Sequence, residues 1–146
     1  MPTKYFELPP LRFYEYRIPN GTSIWLPIVK IALITSTNQS LELSLLFDTG
    51  ADFTTLRADL YPVLGLQSWD QGQRVETATA GGSTYVYQYD VSLEIFGKTI
   101  QCPIHLSNKL LPNPIFSGLL GREKIFNEFG FGFWEREHEL YVTANP

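Results

Sequence analysis

Cysteine occurs once in the 146 residues, at Cys102, so no internal disulfide framework can form. Histidine occurs twice, at His105 and His138. Two histidines and one cysteine are too few and too scattered for a zinc site, and no metal or cofactor is expected. Cys102 and His105 stand three apart in a strand-like run, but no third group is at hand to orient them. Cys102 is therefore expected to be a buried structural residue rather than a nucleophile. His138 lies in the charged run Glu135-Arg136-Glu137-His138-Glu139 and is expected in a solvated turn. Basic residues are also short, 11 Lys and Arg against 15 Asp and Glu, for a net charge of −4. No basic stripe exists to displace counterions, which excludes nucleic acid as an expected partner. Long hydrophobic runs are missing: nothing approaches the ~18 residues that a membrane span needs. Met1 to Glu7 lacks the basic and then apolar regions of a signal peptide. Asn20-Gly21-Thr22 and Asn38-Gln39-Ser40 match the glycosylation pattern but read as turns. The expected location is the cytoplasm, with no membrane partner.

What is present is a globular composition, 44% hydrophobic and 18% charged, at the usual length of one domain. The chain opens on a proline-punctuated arm, residues 1–10, followed by an edge strand over Arg12 to Arg17 and a turn at Pro19-Asn20-Gly21. Ile28 to Ile34 and Leu41 to Phe47 read as a hairpin, the second strand alternating at period two before turning wholly apolar. That loss of alternation implies a strand entering the core just before Asp48. Phe53 to Leu56 reads as a returning strand, and Arg57 to Leu64 as a short helix or turn broken by Pro62. Gly65 to Gln73 is a polar loop containing Trp69. Two β-rich runs, Arg74 to Thr79 and Ser83 to Leu93, flank Ala80-Gly81-Gly82 as a hairpin tip. The second run carries Tyr85, Tyr87 and Tyr89 on one face, expected to pack along the strand rather than reach a cleft. Phe96-Gly97-Lys98 turns the chain into Thr99 to Leu106. A proline loop, Leu110 to Pro114, leads to an apolar strand, Ile115 to Leu120, ending at Gly121. Arg122 to Phe129 fits the one convincing helix, closed by Gly130. Phe131 to Trp134 and Leu140 to Val142 are the last strands. The sum is an all-β single domain, a closed or half-closed barrel with one short C-terminal helix.

The stretch Leu45-Leu46-Phe47-Asp48-Thr49-Gly50-Ala51-Asp52 stands out. A strand delivers a carboxylate to a turn, a hydroxyl follows that can lock the loop, and a glycine allows close approach of backbone and water. Two further segments accompany it: the glycine-tipped hairpin at Gly81-Gly82, running on into Tyr87-Gln88-Tyr89-Asp90-Val91, and Leu119-Leu120-Gly121-Arg122. In this order and spacing the three segments resemble the retropepsin-like aspartic peptidases, the family of the retroviral proteases and their cellular relatives. The resemblance spans residues 28–134. Residues 1–27, an N-terminal arm and edge strand, and residues 135–146, with an extra C-terminal strand, lie outside it.

The resemblance implies a closed barrel with a mobile hairpin, or flap, and it implies roles for individual residues. Asp48 would be the catalytic aspartate, Thr49 would bond across to a partner subunit's loop, and Gly50 would bind substrate backbone. Ala51 would line the floor. Asp52 would bond to the substrate main chain while pairing with Arg122, a structural support. Ala80-Gly81-Gly82-Ser83 would close over a bound peptide. Catalysis of this kind shares one proton between two carboxylates. The chain carries a single Asp-Thr-Gly and is too short for two lobes, so the second aspartate must come from another copy in a homodimer. The implied activity is that of an endopeptidase acting on extended peptide or protein substrates. A non-catalytic peptide-binding or dimerisation module of the same fold stands as the alternative, and an unrelated β-barrel that binds a small ligand as a third.

Overall fold

The computed structural model describes residues 10–145; the arm expected over residues 1–10 lies, apart from Pro10, outside the described residues. The strands in chain order begin with β1 (Leu11–Arg12), β2 (Tyr14–Arg17), β3 (Ser23–Leu26), β4 (Ile28–Ile34), β5 (Ser40–Phe47) and β6 (Thr54–Arg57). A 3-10 helix, Ala58–Leu64, separates these from β7 (Gln73–Thr79), β8 (Gly82–Ile95), β9 (Lys98–Ser107) and β10 (Gly118–Leu120). The chain closes with α1 (Ile125–Glu128), β11 (Phe129–Trp134) and β12 (Glu139–Ala144). Chain contacts divide the molecule into two units, Val29–Glu123 and a second made of Met1–Ile28 with Lys124–Pro146. The division falls after Ile28 and after Glu123, so residues 124–134 group with the C-terminal strand rather than with the segment that carries the family resemblance. Among the described residues no helix is long and apolar enough to cross a membrane.

Unit Val29–Glu123 is built on a seven-stranded mixed sheet in the order β4-β5-β10-β6-β9-β8-β7. Strand β4 also pairs with β8, Leu33 opposite Leu93, so the pairings form a circuit β4-β5-β10-β6-β9-β8 with β7 attached to β8. Period-two patterning explains the core. Leu43, Leu45 and Phe47 of β5, Val29, Ile31 and Leu33 of β4, and Ile100, Cys102, Ile104 and Leu106 of β9 are all buried. Burial on β5 alternates up to Phe47, so the strand keeps its period to the end. Leu46 is the opposite-facing residue, half-buried and in parallel register with Leu119.

The expected strand over 115–120 is shorter than its apolar content suggests. Asn113 Oδ1 accepts the amides of Ile115 and Phe116 at 2.7 and 3.3 Å, capturing donors that a strand ladder would need. The strand begins at Gly118, next to Ser117, whose backbone already bonds to Ser44 and Arg57, and there an added Cβ would stand 2.3 Å from the Thr55 carbonyl oxygen. The 3-10 helix accommodates Pro62 and ends at Gly65, whose φ of +75° lets its amide turn back to Pro62 O.

The other unit holds a three-stranded sheet, β1-β12-β11, and a two-stranded sheet, β2-β3. The edge strand expected over 12–17 is broken at Phe13. Its side chain is buried and its amide bonds to His138 O at 2.8 Å, and there the chain changes partner from β12 to β3. Strand β3 itself was not foreseen. His138 is half-buried rather than solvated, stacked on Trp25 with ring centroids 4.0 Å apart. The helix expected over Arg122 to Phe129 is confined to Ile125–Glu128. Lys124 takes a positive φ of +68° before it, and Phe129 turns extended to pair with Ala144 after it.

Candidate active site

Strand β5 ends at Phe47 and delivers Asp48 into a turn held from two sides. Within the turn, the Gly50 amide donates to Asp48 Oδ1 at 3.0 Å and the Ala51 amide to Asp48 O at 3.1 Å. From outside, residues 120–123 fasten it through main-chain bonds. Asp48 N donates to Leu120 O, Arg122 N donates to both Ala51 O and Asp52 O, and Glu123 N donates to Asp52 O at 2.7 Å. The Gly121 amide donates at 3.0 Å to the hydroxyl of Thr54, which is fully buried. A Cβ on Gly121 would meet the carbonyl carbon of Phe53 at 2.3 Å, so only glycine lets the two segments approach this closely. The main chain of Arg122 thus fastens the turn, a contact distinct from the side-chain charge pair expected between Asp52 and Arg122.

Asp48 is half-buried and faces a cleft of about 590 Å³, a size that suits a bound ligand. Ala51, Phe53 and Leu119 contribute to its floor, with Gly50 and Asp52 beside Asp48. The β7–β8 hairpin forms another wall. Val75 and Thr77 stand opposite Val86 and Thr84 in register, so these four side chains share one face, and all four line the cleft. The parity that turns them inward turns Tyr85, Tyr87 and Tyr89 outward, and none of the three tyrosines lines it. The tip residues Ala80, Gly81, Gly82 and Ser83 are exposed and do not line the cleft; nor does Thr49, which is exposed beside Asp48. The tip does need glycine, and at Gly82, whose φ is +114° with no atom within 4 Å of an added Cβ. The requirement there is conformational rather than spatial.

No protein-family model matches the chain, and no curated protein matches it. The site is therefore read from its own geometry.

Among the cleft residues not anticipated as part of the site are His105, Ser107 and Lys109, from β9 and the residues that follow it. His105 and Ser107 lie two apart on β9 and so share a face, the one opposite to Cys102. Parity thus removes any pairing of Cys102 with His105, and Cys102 is fully buried, as expected. His105 is only 3% exposed. Its Nε2 lies 3.1 Å from Gln88 Oε1, and its ring stacks on Phe53 with centroids 4.2 Å apart. Burial holds its pKa below the ordinary 6.5 and so favours the neutral imidazole at pH 7. Ser107 Oγ accepts the amide of Lys109 at the strand's end. No local signal marks these residues in the sequence, because the parallel pairing of β6 with β9 brings His105 beside Thr55 across fifty residues.

Proposed function

We propose that this chain is a retropepsin-like aspartic endopeptidase that works as a homodimer. The observation that carries the reading is convergence. The Asp48 turn, the Leu119–Arg122 segment and the β7–β8 hairpin are distant in sequence and weak as motifs, yet they border or fasten one cleft with Asp48 in its wall. The closed circuit of strand pairings supports the finer reading of a closed barrel, and the hairpin on the far side of the cleft supports the reading of a flap.

In this mechanism two Asp48 carboxylates, one from each copy, face each other across a two-fold axis about 3 Å apart and share one proton. The ionised carboxylate takes a proton from water as the oxygen attacks the scissile carbonyl carbon, and the protonated one donates to the carbonyl oxygen. Collapse of the tetrahedral species returns a proton to the leaving amine and breaks the carbon–nitrogen bond. Asp48 Oδ1 is held by the Gly50 amide, which fixes the carboxylate's plane, while Oδ2 has no hydrogen-bond partner among the described residues. Ala51 and Asp52 supply main-chain and side-chain groups on the floor. The hairpin residues Val75, Thr77, Thr84 and Val86, with Glu76 also at the cleft, would cover an extended peptide and exclude water.

Cleavage of a mixed peptide library between pH 4 and 7 tests the proposal, with wild type beside Asp48→Asn at concentrations that sustain a dimer. Wild-type cleavage lost in Asp48→Asn is the expected result. A stable dimer with no cleavage by either protein would overturn it in favour of a peptide-binding module.

A further inference from the structure

We infer that Tyr89, acting through a clasp with Trp69 and Gly72, is a positioning residue that sets the β7–β8 hairpin over the cleft. Strand β8 pairs with β9 only from Tyr87 onward, and with β7 only up to Gln88. Residues 74–86 are therefore a two-stranded ribbon extending beyond the sheet. A ribbon without a third strand is marginally stable by itself, so its placement depends on what grips its base.

The grip lies on the face away from the cleft. The Tyr89 hydroxyl donates to Trp69 O at 2.6 Å and accepts from the Gly72 amide at 2.8 Å. The Trp69 ring meets Tyr87 edge-on, with centroids 5.0 Å apart and planes at 86°. Gly72 has no room for a side chain, since a Cβ would stand 2.5 Å from Gln88 O and 2.7 Å from the Tyr89 ring. The loop is fixed from within as well, Gln71 Oε1 accepting the amides of Gln67 and Ser68. Because Gly72 directly precedes β7, one hydroxyl ties the strand that enters the ribbon to the strand that leaves it. Tyr89 does not line the cleft, so any effect on a ligand must pass through the ribbon.

As a statement about catalysis this rests on the peptidase reading, but the clasp is measurable without it. Amide hydrogen exchange of wild type and Tyr89→Phe reads it directly. Loss of the hydroxyl leaves Trp69 O and the Gly72 amide without their partner. The expected result is exchange roughly ten-fold faster over 74–86, with β5 and β9 amides unchanged. Unchanged exchange in the ribbon overturns the inference. So does an increase spread evenly over β4, β5 and β9, which would make Tyr89 an ordinary stabilising residue. Should Tyr89→Phe fail to fold, Trp69→Ala, which removes the edge contact with Tyr87, is held to the same two criteria. With a cleaved peptide in hand, Tyr89→Phe should raise KM while kcat changes little. Wild type that cleaves nothing speaks against the peptidase reading alone, since the exchange comparison still decides the clasp.

Discussion

His105 is the residue, apart from the candidate Asp48, through which this cleft should respond to pH. Burial keeps its folded-state pKa below 6.5, so on acidification the unfolded chain takes up the proton first. Stability should be flat above about pH 7 and fall as pH drops through 6.5, until the folded-state imidazole also protonates. One proton sets a slope of at most about 1.4 kcal/mol per pH unit. Urea midpoints between pH 5 and 8 should show the decline in wild type and a flatter profile in His105→Gln; equal profiles would remove His105 as the cause. Gly121 makes the second residue-scale prediction. Gly121→Ala places a methyl group against the Phe53 carbonyl and pushes the Thr54 hydroxyl from its amide partner. It should cost about 3 kcal/mol or more in chemical denaturation. The presence of Asp48 and Gly121 was legible in the sequence, as was the idea that their segments belong together. The way they join was not, because main-chain bonds from residues 120–123 to 48–52 leave no mark on side-chain identity.

Among the elements, the β7–β8 hairpin was read to within one or two residues, the runs Arg74 to Thr79 and Ser83 to Leu93 standing as Gln73–Thr79 and Gly82–Ile95, since two β-rich runs around Ala80-Gly81-Gly82 leave few alternatives. Gly82→Ala should weaken the tip by about 1–2 kcal/mol, because an L side chain resists its positive φ. Amide exchange over 77–84 should quicken while the thermal midpoint moves little; unchanged exchange would mean that the turn can relax to another geometry. The elements misjudged in extent fail for local reasons that periodicity does not encode. Asn113 captures two amides and shortens β10, and the positive φ of Lys124 trims the helix to four residues. Phe13 splits an edge strand where the chain changes partner.

At the scale of the whole molecule, the proposed chemistry needs a second copy, and this makes concentration an experimental variable. Specific activity should fall on dilution as dimers part, in step with the sedimentation coefficient. Full activity from a monomer would refute the shared-proton mechanism. The sequence by itself determined the β character, the glycine-tipped hairpin, the buried Cys102 and the candidate aspartate. These rest on periodicity, turn chemistry and residue type, which are local quantities. Only the tertiary structure decided which strands are neighbours, that the two chain ends form a unit apart from Val29–Glu123, and that His105, Ser107 and Lys109 share the cleft with Asp48. The physical reason is that β pairing joins residues far apart in the chain through main-chain groups that all residues but proline carry in full. A strand's sequence shows which face is buried, but it does not name the strand beside it.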